Sequence, residues 1–182
     1  MNKSLGLIEV RSIAIGIKAA DEMLKSADVE LVIATPICPG KYIIIVTGNV
    51  GSVKNAVETG IKIGDIFIVD NQIINNISEK VIPALSGTSQ IDDVKSIGVI
   101  ETISAVTSVK AGDIAVKVSN VDLIEIRIAR GLGGKGFLIF SGELSSVNSA
   151  VKACMNELQD EGTIISSSVI ASPHKELIEK IL

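Results

Sequence analysis

The chain has 182 residues, 47% hydrophobic side chains and a mean hydropathy of +0.48, with no Trp, one Tyr and three Phe. A net charge of −4 and this shortage of aromatic rings exclude the basic footprint and the stacking platforms of nucleic-acid binders. No uncharged apolar run approaches the ~18 residues of a membrane span, and the first segment meets Glu9 too early for a secretory leader, so a cytoplasmic chain with reduced cysteines is expected.

In chain order, Leu5–Val10 reads as a strand, and Ser12 stands at an N-cap position before a helix whose Ile13, Ile17, Ala20, Leu24 and Ala27 recur three or four apart as one apolar face. A strand over Glu30–Ala34 leads to the loop Cys38-Pro39-Gly40-Lys41, and a buried-type strand follows at Tyr42–Val46. Gly48 turns the chain into a second helix with Ser52 near its start, a strand is expected at Asp65–Val69, and a short helix closes the half.

The same series then repeats. Ser4-Leu-Gly-Leu-Ile-Glu9 returns as Ser96-Ile-Gly-Val-Ile-Glu101, and Lys18-Ala-Ala-Asp21 with Lys25 returns as Lys110-Ala-Gly-Asp113 with Lys117. An offset of about 92 residues is too long for a solenoid repeat and fits a duplicated small domain. The second copy gives strands at Ile97–Thr102, Asp122–Ile128, Phe137–Phe140 and Gly162–Ser166, a cap at Ser104, a second helix from near Ser146, and a last helix announced by Ser172-Pro173. Domains are expected at 1–87 and 96–182, joined by a linker at 88–95 in the polar stretch that starts at Ser86. The order β-α-β-β-α-β makes each an α+β unit of ferredoxin-like type. Two cores of this size cannot hide so much aliphatic surface, which points to subunit interfaces.

Leu5-Gly-Leu-Ile-Glu9 opening a strand, Lys18-Ala-Ala-Asp-Glu-Met-Leu-Lys25 on the first helix, and a Gly-Lys loop before an apolar strand and Gly48 resemble the bacterial microcompartment shell domain, twice over and in unpermuted order. The resemblance implies a homotrimer that mimics a hexamer and packs edge to edge with other shell proteins into a polyhedral shell in the cytoplasm. It places the copies' two loops at a central pore, lined by Pro39, Gly40 and Lys41 and by Arg130, Gly131, Leu132, Gly133, Gly134 and Lys135. It also places Lys25 and Lys117, each four residues after Asp21 or Asp113, at tile edges; a pair at that spacing is worth only a few tenths of a kcal/mol as a surface ion pair.

Within that family, Thr35-Pro-Ile-Cys-Pro-Gly-Lys41 resembles the loop of the iron–sulfur tandem shell proteins of propanediol-utilising compartments. There one loop cysteine from each of three subunits holds a [4Fe–4S] cluster, and the matching residue is Cys38. One cysteine cannot hold such a cluster, but a heterologous threefold ring brings three together and leaves one iron for another ligand. Electron transfer across the shell, with a redox enzyme or flavoprotein of the compartment as partner, follows from the resemblance. Pro36 and Pro39 restrict the backbone around Cys38 and Gly40 permits a tight turn, whereas Cys154, with Val147, Val151 and Leu158 at helical spacing, reads as core.

Other readings remain open at this point. A passive tile with a metabolite pore needs no cluster. A ferredoxin-like redox enzyme or nucleotide-binding regulator would use Gly131-x-Gly133-x-x-Gly136, but a strand rather than a helix follows that loop, and one histidine, His174, offers no nucleophile–base pair. The chain is therefore expected not to be an enzyme.

Overall fold

The computed structural model of the protein describes residues 3–91, 93–128, 131–158 and 162–181. They form two compact units, one of residues 3–77 with 131–133, the other of residues 78–91, 93–128, 134–158 and 162–181.

In the first unit, β1 (Ser4–Val10), α1 (Ile13–Ser26), β2 (Val29–Ile37), β3 (Lys41–Gly48), α2 (Val50–Gly64) and β4 (Ile68–Ile74) build a four-stranded sheet in the order β2-β3-β1-β4. All neighbours are antiparallel, which is the ferredoxin-like order expected from the sequence. The last strand starts later than Asp65–Val69, because Asp65 adopts a left-handed φ of 43° and residues 65–67 make a 3-10 turn before the chain extends. The second helix has Ser52 in its first turn, as expected, and is capped by Asn49, whose side chain accepts from the Ser52 N–H at 2.8 Å.

Helix α1 differs from its sequence reading in the face it buries. Ser12 caps it as expected, but the buried residues are Gly16, Ala19, Ala20 and Met23, while Ile13, Ile17 and Leu24 point outward. Small residues let the helix lie close on the sheet: a Cβ at Gly16 would come within 2.6 Å of the Tyr42 side chain. The core between helices and sheet is then built from Ile8, Val10, Met23, Ile44, Val46, Val53 and Val57.

The second unit opens with α3 (Val81–Ser86) and repeats the pattern in β5 (Ser96–Thr102), α4 (Ala105–Val118), β6 (Val121–Ile128), β7 (Gly136–Gly142), α5 (Leu144–Leu158), β8 (Ile164–Ala171) and α6 (Lys175–Ile181). Its sheet runs β6-β7-β5-β8, antiparallel throughout. Helix α6 begins two residues beyond Pro173, since Ser172 takes a left-handed φ of 49° and turns the chain instead of capping it. The two cores solve one volume problem differently. Where the first unit places Met23 and Gly60, the second places Ala115 and Cys154 at the equivalent positions, so one large side chain on the first helix is exchanged for two small ones, one on each helix. Among the described residues no helix is long and apolar enough to cross a membrane.

Candidate metal and pore site

Strands β2 and β3 pair through Ile37 and Lys41, which leaves Cys38-Pro39-Gly40 as the hairpin loop between them. Ile37 is buried beneath it, the Cys38–Pro39 peptide is cis, and Gly40 closes the turn at φ 71° with open space where a Cβ would stand. Pro36 sits in β2, an edge strand that tolerates a residue without an N–H. The loop is thus held from both ends, and its thiol is half-buried beside a cleft of 430 Å³ bordered by Ile13, Thr35, Ile37, Gly40 and Gly131.

Directly behind the loop, Lys41 forms an ion pair with Glu9 of β1. Glu9 is 0% exposed and Lys41 only 15%, so the pair is an internal clasp between the central strand and the loop's exit, not a surface contact. Removing one partner of such a pair strands a buried charge, which makes it a rigid support. Sequence reasoning placed Lys41 at the pore and missed the pairing, yet a signal existed: Glu9 and Lys41 recur as Glu101 and Lys135. In the second unit the pair is exposed, with Lys135 Nζ 3.0 Å from Glu101 Oε1 and Ser166 Oγ donating to Oε2 at 3.0 Å. Those bonds, from Lys135 first and then Ser166, hold the Glu101 carboxyl below the usual carboxylate range.

The second loop joins β6 to β7 and contains no thiol. Gly131, Gly133 and Gly134 all adopt left-handed φ, Leu132 is half-buried, and Arg130 lies outside the described residues. Residues 131–133 belong with the first unit, where Gly131 borders the same cleft as Cys38. The strand β7 that follows Gly136 supplies no helix N-terminus for a pyrophosphate.

Cys154 occupies the opposite environment. It is fully buried on α5, its Sγ donates to the Ala111 carbonyl at 3.3 Å, and burial, reinforced by Glu157, pushes the thiol up to about 12. It is a core thiol packed within its own unit, with none of its sulfur presented at a loop or surface. Among the described residues no three His, Cys, Asp or Glu side chains of one chain are grouped to hold a metal, so a multi-thiolate site would have to be shared between copies.

The residues expected at tile edges stand in unlike settings. Asp21 and Lys25 pair on the exposed surface of α1. Asp113 pairs with Lys117 as well, but its side chain is only 6% exposed, and its Oδ1 accepts the Ser78 N–H at 2.9 Å.

A family profile described as the BMC domain matches residues 4–77 and again 96–173. The chain is 38% identical to the bacterial microcompartment shell protein PduT of Citrobacter freundii, over 97% of this chain and 96% of that one. It is 30% identical to the carboxysome assembly protein CcmO of Synechococcus elongatus, over 98% of this chain and 68% of the relative. Among solved structures it superposes on a microcompartment protein from Desulfitobacterium hafniense with a TM-score of 0.93 at 41% identity, covering 98% and 99% of the two chains.

Proposed function

Because this chain belongs to the BMC-domain family of microcompartment shell proteins, carrying the domain twice, we propose that it is a shell tile that closes into a homotrimer and holds a [4Fe–4S] cluster with one Cys38 thiolate from each copy. The observation that carries this reading is the Cys38 hairpin: a half-exposed thiol presented by a loop fixed at Ile37, Gly40 and the Glu9–Lys41 clasp. The residues fit the group. A ring supplies three thiolates, and nothing crowds the turn at Gly40, where a Cβ would meet no atom within 4 Å. When bound, such a cluster supplies one-electron chemistry; the chain's own part is to hold the thiol outward on a rigid loop. The tile then passes electrons across the shell, in the cytoplasm, between other shell proteins and a redox enzyme or flavoprotein of the compartment, and performs no catalysis itself.

The trimer is supported by the outward stripe on α1. Ile17 is 56% exposed and Ile13 40%, whereas Val109 and Ala105 at the equivalent positions of α4 are buried. An aliphatic stripe left open on one of two matched helices is surface for another copy.

Protein purified without oxygen is expected to be brown, with a broad visible band and about four irons per trimer. A colourless, iron-free trimer would instead favour a passive tile, in which the apolar cleft beside Cys38 borders a pore for small metabolites. The concentrated parent protein is expected to form sheets under the electron microscope, and replacing Lys25 and Lys117 by Ala is expected to impair them and leave the trimer's sedimentation unchanged, because both ammonium groups stand on outer helix turns. Sheets of normal extent in that double variant would make the two lysines ordinary surface charges.

A further inference from the structure

The hairpin that carries Cys38 is braced by a charge pair that occurs twice in the chain. Glu9 of β1 with Lys41 of β3 recurs as Glu101 of β5 with Lys135, the residue before β7. The surroundings of the two pairs differ. In the first unit Glu9 follows Leu5 and Leu7 on the sheet face turned away from the helices, and Lys41 precedes Ile43 and Ile45 on the same face. Those four aliphatic side chains are 0% exposed, as is Glu9. In the second unit Val99 and Phe137, at the positions of Leu7 and Ile43, are only half-buried, and Glu101 and Lys135 are 35% and 48% exposed. A third charge adjoins the first pair: half-buried Asp70 of β4 stands opposite Glu9, where β8 places Ser166 opposite Glu101. The dry version of the pair thus belongs to the unit whose hairpin presents a thiol, and the wet version to the unit whose loop has none.

Water screens a charge pair at a surface and an apolar layer does not, so the same two charges act over a longer range in the first unit. Backbone pairing puts Lys41 across from Ile37, the residue before Cys38, and Glu9 across from Ile43, two residues farther from the turn. We propose that this clasp sets how readily the site at Cys38 takes an electron: the Lys41 ammonium favours the reduced form, the Glu9 carboxylate opposes it, and the balance of the two fixes the reduction potential. The proposal rests on the cluster reading above and concerns the electrostatics of that site. An electron entering there, from a donor that is itself oxidised by one electron, adds one negative charge and changes no ligand. A fixed cation nearby makes that added charge more favourable and a fixed anion makes it less so. Glu9 and Lys41 are therefore positioning residues, which act through the field of their charges and through the hairpin they hold.

The test is a redox titration of the full-length protein, purified without oxygen, reduced stepwise with dithionite and followed by visible absorption and electron paramagnetic resonance. Glu9→Gln removes the carboxylate and keeps its shape, and is expected to raise the potential, enriching the reduced form about tenfold or more at a fixed applied potential, which is ~59 mV for one electron. Lys41→Met is expected to lower it by a similar factor, and the double variant, with both charges gone, to return near the parent. Lys41→Arg keeps the charge and should keep the potential. Glu101→Gln, in the exposed pair, is expected to change the ratio by less than about twofold. Asp70→Asn takes one negative charge from the same face and leaves the clasp in place, so it should act in the direction of Glu9→Gln and decides the matter where that variant does not fold. The metal-free single variants should also unfold at a lower temperature than the parent, and the double variant less so, because each single change strands one buried charge. A purely structural clasp produces that thermal effect without opposite shifts in potential. One potential shared by the parent, Lys41→Met and Asp70→Asn, single variants that shift in the same direction, or an equal shift in Glu101→Gln overturns the tuning and leaves the cluster standing. A parent protein free of iron overturns the cluster, and the tuning with it.

Discussion

Cys38→Ser is expected to remove all iron and acid-labile sulfide from the anaerobically purified protein and leave a trimer of normal size and secondary structure. The loss is complete because three identical positions change at once, and a serine hydroxyl is a hard, protonated oxygen where iron takes a soft thiolate. The fold survives because Cys38 is a loop residue whose neighbours, buried Ile37 and the Glu9–Lys41 clasp, fix the hairpin without it. Cys154→Ser should behave in the opposite way. Its sulfur lies in an apolar layer against the Ala111 carbonyl, so a smaller, more polar group there costs about 1–3 kcal/mol, while iron stays at about four per trimer. Iron and sulfide analysis with thermal unfolding on both variants separates the two thiols; iron retained in Cys38→Ser would assign the cluster to other ligands.

That contrast between the cysteines was legible in the sequence, since one falls in a Pro/Gly loop and the other at helical spacing among aliphatics. The tandem domains and their strand order were legible for the same kind of reason: two copies of one pattern in one chain act as an internal alignment, and errors in one are checked by the other. What escaped was set by contacts distant in sequence. Glu9 and Lys41 are brought together only by the β1–β3 register, in which Glu9 faces Ile43. The left-handed turn at Asp65, which delays β4, leaves no trace in periodicity because Asp is not a residue that demands such a φ. Most instructive is α1. Hydrophobic spacing pointed to Ile13, Ile17 and Leu24 as the inward face, but glycine and alanine, which carry little hydrophobic signal, are what let a helix approach a sheet closely. The strong aliphatics stay exposed, and periodicity alone cannot say whether such a face meets its own chain, a second one or water.

If that surface joins copies, Ile17→Asp is expected to turn the trimer into monomers at micromolar concentration. Losing the buried isoleucine removes about 1.5–3 kcal/mol of apolar burial at each contact, and a carboxylate placed in an aliphatic seam adds the cost of stripping its water. Every 1.4 kcal/mol is tenfold in affinity and a closed ring contains the contact three times, so the effects compound over the whole assembly. The monomer itself should remain folded, because Ile17 lies outside the core cluster of Ile8, Met23, Ile44 and Val53, and a residue that is 56% exposed contributes little to it. Ile17→Leu, which keeps the volume and the apolar character, should sediment as the parent does. Sedimentation velocity with circular dichroism on both variants decides the matter: a folded trimer of parent stability in Ile17→Asp would mean that α1 faces solvent and that the copies meet elsewhere.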